Sequence, residues 1–270
     1  MSDKETLPPA QPIVLSMKVS ETGSSESHYR LQLGKKVKYL VVGPKVFDRD
    51  ALASPIQFFP RLPDSKDWTV AHFSRDEITG DLKISILNRT LPSVKCHWHH
   101  TRVDCLDLEK TKSLTATDFE AVSHSTTLPR GTMIAKMARF EWELPRIERE
   151  TKAYQLLQAS GLTLRFLGHI TENGRIIGFL LEKMEGQPAG WKDLDACRDA
   201  LGKLHRLKFL HGDVYQKNFL LTEQGVKLLN LERLEGNATL QSSLKESMQL
   251  TSELLNQPGG PGFFSRENIF

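Results

Sequence analysis

Apolar positions along the chain follow two regimes. Between residues 28 and 110 they come in short runs broken by proline. VKYLVVG is a compact β-branched run, DLKISIL alternates as a half-buried strand should, and Pro44, Pro55, Pro60 and Pro63 punctuate the loops between. From about Thr132 the periods sharpen. TMIAKMARF reads as a strand, and Pro145 suits the first turn of a helix. In PRIERETKAYQLLQASG, Glu150, Ala153, Tyr154 and Leu157 are spaced i, i+3, i+4 and i+7, so they share one helical face, with Gly161 placed to end the helix. Asn173-Gly174 sits between two apolar runs, a strong hairpin signal. Leu194, Cys197, Leu201 and Leu204 form an apolar helical stripe, and SLKESMQLTSELL reads as a last amphipathic helix. The order strand, helix, hairpin, helix, loop, hairpin, helix implies an α+β arrangement with mostly antiparallel strands.

NFLLTEQGVKLLN reads as a further hairpin around Glu223-Gln224-Gly225. With Gln224 at the midpoint, Asn218 faces Asn230 across the ladder, Cβ atoms about 5 Å apart. Asp213 precedes this strand by one short loop. One acid and two amides thus converge at one end of a hairpin, and grouped oxygens of this kind suit Mg²⁺ and the phosphates it carries. The competing reading is that both asparagines only cap turns.

Composition narrows the field without naming a function. Hydrophobic residues are 39% and charged residues 26% of 270, ordinary for a globular chain. The net charge of +3, from 36 basic and 33 acidic residues, is too small to argue for nucleic acid or an anionic membrane as partner. No apolar run is long enough to span a bilayer, MSDKETLPPAQP lacks the apolar core of a signal peptide, and Cys96, Cys105 and Cys197 are few and scattered. A cytoplasmic protein is expected. CHWHHTRVDC gathers Cys96, His97, His99, His100 and Cys105, but its spacing fits no common zinc pattern, and a structural segment packing Trp98 is the expectation.

HGDVYQKN, with Asp213 two positions after His211 and Asn218 five after Asp213, resembles the catalytic loop of the protein-kinase-like superfamily. The Gly212 version is similar to small-molecule phosphotransferases such as aminoglycoside kinases and to compact atypical kinases. Residues from about 40 to 255 resemble small kinase-like proteins of filamentous fungi. The resemblance implies a bilobal protein-kinase-like fold with a compact C-lobe and a β-rich N-terminal extension. Its divisions would be a disordered tail over 1–27, the extension over 28–110, an N-lobe over 111–185, a C-lobe over 186–256 and a flexible tail over 257–270. It also implies roles. Lys136 in MIAKM would hold the α- and β-phosphates of ATP, with Glu150 as its helix partner. The backbone of Glu182 and Met184 would meet the adenine edge. Asp213 would accept the substrate proton, and Asn218 would hold Mg²⁺.

Three departures qualify those roles. No Gly-rich loop precedes Lys136; the small residues of Ser113–Thr117 stand there instead. No activation segment and no Ala-Pro-Glu follow Glu232. Asn230 stands where the superfamily keeps its main metal-binding aspartate. A unit charge pair is worth roughly 4 kcal/mol gross at about 4 Å with ε near 20, so the missing charge matters. Glu232, two residues on, is the candidate replacement ligand, the alternative being a solvated loop acid. The expected functions are therefore an ATP-dependent phosphotransferase acting on an unidentified protein or small-molecule acceptor, or a pseudokinase binding a nucleotide or a partner. A module that has lost nucleotide binding altogether is the third.

Overall fold

The computed structural model describes residues 11–62 and 67–258, which form two compact units with mixed α+β structure and several sheets. The first comprises residues up to Ser93 together with Arg139–Glu141 and Glu172–Arg175; the second holds Val94–Ala138, Trp142–Thr171 and the rest from Ile176. No helix among the described residues is long and apolar enough to cross a membrane.

The first unit is built on a five-stranded sheet in the order β1 (Ile13–Lys18), β2 (Ser27–Leu33), β3 (Lys36–Val42), β4 (Val70–Arg75) and β5 (Leu82–Leu87). Neighbours are antiparallel except β3 and β4, which run parallel across a connection carrying α1 (Arg49–Ala53) and α2 (Pro55–Phe58). Asp48 starts α1 by accepting from the Ala51 amide at 2.8 Å, and Pro55 starts α2. Tyr29, Leu31, Leu40, Trp68 and Phe73 form the core, and the Tyr29 hydroxyl donates to the Leu52 carbonyl at 2.7 Å. Two expectations change. Residues 13–18, expected within a disordered tail, form β1, because IVLSMK finds the open edge of β2. β5 is mostly exposed rather than half-buried, because it is the sheet's edge and little covers its faces. Residues 1–10 and 259–270, the outer part of the first expected tail and nearly all of the second, lie outside the described residues.

A buried ionic cluster belongs to this unit. Glu172, fully buried, accepts from Arg30 Nε at 2.5 Å, from Arg175 Nη2 at 2.6 Å and from the Tyr39 hydroxyl at 2.7 Å. Beside it, the Asn173 side chain accepts from the Val37 amide at 3.1 Å and donates to the Val37 carbonyl at 2.7 Å. Burial pushes the Glu172 carboxyl upward, but the two guanidiniums and the Tyr39 hydrogen bond outweigh it and hold the group below its ordinary value.

The second unit carries a six-stranded sheet in the order β6 (Arg102–Asp104), β10 (Phe166–Glu172), β11 (Arg175–Glu182), β9 (Met133–Met137), β8 (Asp118–Ser123) and β7 (Leu108–Ser113). β6 pairs in parallel with β10 and β7 pairs with β8, so residues 94–110 belong to this unit rather than to an extension ending at 110. Asn173 and Gly174 turn β10 into β11 with φ of 49° and 88°, the two positive values a type I′ turn requires. α3 (Leu144–Leu157) buries Ile147, Glu150, Ala153, Tyr154 and Leu157, the face its spacing predicts. Trp98 packs on this core with its ring 4.7 Å from that of Phe166. The chain continues through β12 (Gln187–Pro188), α4 (Leu194–Arg206), β13 (Phe209–Leu210), β14 (Phe219–Thr222), β15 (Gly225–Leu228), β16 (Glu235–Gly236) and α5 (Leu240–Leu255). On α4 the stripe of Cys197, Leu201 and Leu204 is buried.

Replacing Glu172 with alanine leaves two buried guanidiniums without their anion and should cost about 3–5 kcal/mol in urea unfolding. The folded carboxyl has the lower pKa, so its contribution is present above the unfolded value near 4.5 and is lost as pH falls through the folded value. Stability of the wild type should therefore drop more steeply on acidification than that of the variant; parallel pH profiles would refute the assignment.

Candidate functional site

β9 is flanked by β8 and β11, and Lys136 lies opposite Asp118 on one side and Phe179 on the other. Its ammonium is thereby carried into the second unit's interior, where the side chain is 7% exposed. A charge so placed needs partners. Glu150, on the buried face of α3, accepts from Lys136 Nζ at 2.7 Å, and Asn230 Oδ1 accepts at 2.6 Å. Asp118 Oδ2 stands 4.0 Å away.

Asn230 reaches the lysine by an unexpected route. The β14–β15 register pairs Phe219 with Leu228 and Leu221 with Val226, one residue off the expected ladder. Asn218 then lies beside Leu229, whose amide donates to its carbonyl at 2.9 Å. The asparagines still meet, because Asn230 adopts a left-handed backbone (φ 55°, ψ 56°) that Asn tolerates better than most residues, and its Nδ2 donates to Asn218 Oδ1 at 2.7 Å. Asn218 Nδ2 in turn donates to the Asp213 carbonyl at 2.9 Å. A continuous relay thus runs from Asp213 through Asn218, Asn230 and Lys136 to Glu150. The Asp213 side chain is half-buried and its carboxylate makes no hydrogen bond or ion pair among the described residues.

The loop bearing Asp213 is anchored from α5. Glu246 accepts from the amides of His211 at 3.2 Å and Gly212 at 2.7 Å, and pairs with His205 Nε2 at 2.7 Å. Burial raises the Glu246 carboxyl, but these hydrogen bonds prevail and lower it. His211 Nε2 bonds the Leu229 carbonyl at 3.0 Å, and burial pulls the imidazole's pKa down. Gly212 has φ 77°, and a Cβ there would collide with the Arg233 carbonyl. This accounts for glycine between His211 and Asp213.

Two expected site residues have partners within the chain. Glu232 is engaged by Arg146, whose Nη1 donates to Oε2 at 3.2 Å, while Arg149 Nε donates to the Glu232 carbonyl at 3.2 Å. Arg146 also bonds Thr117 Oγ1 and lies 3.6 Å from Asp118 Oδ1. Burial lowers the guanidinium pKa, yet Asp118 and Glu232 outweigh it and raise it. Glu182 turns to Arg165: its amide donates to the Arg165 carbonyl at 3.0 Å and its Oε1 accepts from the Arg165 amide at 2.8 Å. Met184 does line a hollow of about 240 Å³ together with Asp118, Lys136, Tyr154, Leu220 and Asn230. Small-molecule sites usually measure about 300–1,000 Å³, so the hollow is small for a nucleotide.

The donor set does not fit Mg²⁺. Both asparagine oxygens accept from N–H donors, Glu232 is held by Arg146, and among the described residues no three His, Cys, Asp or Glu side chains gather as a metal site. Lys136 and Arg146 are paired with Asp118, Glu150 and Glu232, and Lys183, which also lines the hollow, pairs with Glu120 at 3.0 Å, so a triphosphate would have to compete for cations already engaged. Asp118, Arg146 and Glu246 were not anticipated. Asp118 follows no motif and is placed only by sheet register. Arg146 was visible as the i−4 neighbour of Glu150, and Glu246 as an acid on the i, i+4, i+8 stripe it shares with Leu250 and Leu254. In sequence comparisons, no family model and no curated protein matches the chain.

Gly212→Ala should lower stability by about 1–3 kcal/mol from backbone strain alone, with the Arg233 clash added. Gly225→Ala is the control: its φ is 92° but a Cβ there meets nothing within 4 Å. Thermal denaturation should show the larger loss at Gly212; equal losses would mean that the approach to Arg233 is not limiting.

Proposed function

We propose that residues 94–258 form a protein-kinase-like module that acts without transferring phosphate, a pseudokinase whose cleft is closed by its own side chains. The reading is supported by the lysine on the third strand of β7–β8–β9, the glutamate on the helix that follows, and the His-Gly-Asp loop with its asparagine five residues on. The observation that carries it is Asn230: it joins Lys136, the phosphate-binding position, to Asn218, the metal-binding position, by bonds of 2.6 and 2.7 Å, and brings no negative charge. MgATP would have to break both bonds and compete with Glu150 and Asp118 for Lys136. The module's role is then to present a folded surface to a partner.

A second reading has one observation in its favour. The unengaged Asp213 carboxylate is what a base awaiting an acceptor hydroxyl requires, and a phosphotransferase acting on a protein or small molecule would use it.

Thermal denaturation with ATP, with and without Mg²⁺, separates the two, since a ligand at about 100 times its Kd stabilises the native state by about 2.7 kcal/mol. The expected result is no Mg²⁺-dependent shift and no transfer of labelled phosphate to the protein or to added acceptors. Transfer that requires Mg²⁺ and disappears in Asp213→Ala would overturn the proposal, and in that case Asn230→Asp should raise turnover.

A further inference from the structure

A second hollow, larger than the one beside Lys136, opens elsewhere among the described residues. It lies within the first unit, measures about 910 Å³, and has no part in the reading above. Its origin is the shortness of the two helices in the β3–β4 connection. α1 and α2 are five and four residues long, so at about 1.5 Å per residue they cover only part of the sheet's apolar face. The remainder of that face, with Leu31 and Leu40, forms the floor, and Phe59 and Trp68 supply aromatic walls. Such a lining suits the hydrocarbon or aromatic body of a ligand, and the volume lies within the usual range of about 300–1,000 Å³ for small-molecule sites.

The rim has the opposite character. Among the described residues, Lys35, Lys36, Lys38 and Arg61 line the cavity against a single acid, Asp67. Lys38 is the informative one. It occupies a position on β3 opposite Leu31, where the strand pattern calls for an apolar side chain, and it is 9% exposed. Its ammonium donates to the Trp68 carbonyl and lies 5.1 Å from the centre of the Trp68 ring. Lys35 and Lys36, on the turn into β3, are exposed and make no ion pair among the described residues. Burial of Lys38 lowers its pKa, Asp67 acts against that and Lys36 reinforces it. An anion at the rim would relieve this crowding of positive charge. A cationic ligand is disfavoured by four positive groups, and a polyhydroxylated neutral one by the apolar floor.

We infer that this cavity is a binding site for an amphipathic anion, an apolar body inserted over Leu31, Leu40 and Trp68 with a carboxylate or phosphate head held by Lys35, Lys36 and Lys38.

Isothermal titration of the full chain with monomeric dodecanoate, dodecyl phosphate, dodecanol and dodecyltrimethylammonium tests it. One saturable site is expected for at least one anion, with the alcohol and the cation roughly tenfold weaker or worse. The tighter of the two anions distinguishes a fatty-acid-like from a phospholipid-like head. The double variant Lys35→Glu/Lys36→Glu, altering two exposed side chains, should weaken the anion roughly tenfold while leaving dodecanol binding in place, which shows that the cavity is still folded. Lys36→Arg should keep full affinity. The inference fails if neither anion saturates, if alcohol or cation binds equally well, if charge reversal changes nothing, or if binding occurs only to phosphatidylserine vesicles and not to monomers.

Discussion

The second unit is organised around one buried ammonium. Lys136 sits on a central strand and its side chain is only 7% exposed, so its charge must be neutralised where it stands. That requirement selects its surroundings. α3 has to offer a carboxylate on a face otherwise made of Ile147, Ala153, Tyr154 and Leu157. The chain after β15 has to turn left-handed to bring the Asn230 oxygen to the second hydrogen of the ammonium. Asn218 then inherits a partner, and through it the backbone at Asp213 is fixed. The predicted residues come together because each satisfies the polar group before it.

The first unit solves the inverse problem with the same chemistry. There a carboxylate, Glu172, is the buried charge, and two guanidiniums and a phenol converge on it. Both clusters surround an ion with hydrogen bonds from several elements, the only arrangement in which burial is tolerable. They differ in reach. The Glu172 cluster is closed, each of its members serving the same anion. The Lys136 relay is open at Asp213, whose carboxylate is left over.

Much of this was legible in the sequence, and the failures have definite causes. The helical period placed Glu150 inward, and Asn173-Gly174 specified its turn, because both signals are local. The meeting of Asn218 with Asn230 was also anticipated, but through the wrong register. The expected ladder counted Gln224 as the midpoint, whereas the pairing of Thr222 with Gly225 moves the midpoint by half a residue and would separate the two side chains. The left-handed turn at Asn230 restores the contact, and no periodic pattern encodes such a turn. Glu232 and Glu182 were assigned from position alone. Their arginine partners, Arg146 and Arg165, lie 86 and 17 residues away in the chain, beyond the range of any local motif. β1 was missed because IVLSMK is short and exposed, and only its pairing with β2 makes it a strand.

The amide at 230 also explains why the relay is continuous. An aspartate there would accept from Lys136 equally well, but it has no hydrogen to give Asn218. Two acceptor oxygens would then face each other at a distance where only a cation or a proton could hold them. That is what a metal site needs, and what an asparagine avoids by donating from Nδ2 while accepting at Oδ1. Asn218 could rotate its amide to compensate for an aspartate, yet in doing so it would turn its oxygen towards the Asp213 carbonyl and lose that bond. The metal-binding and self-satisfied arrangements are therefore alternatives built from the same four side chains. With asparagine at 230 the relay is complete without a cation, since each polar atom along it from the Asp213 carbonyl to Glu150 Oε1 already has a partner within the chain.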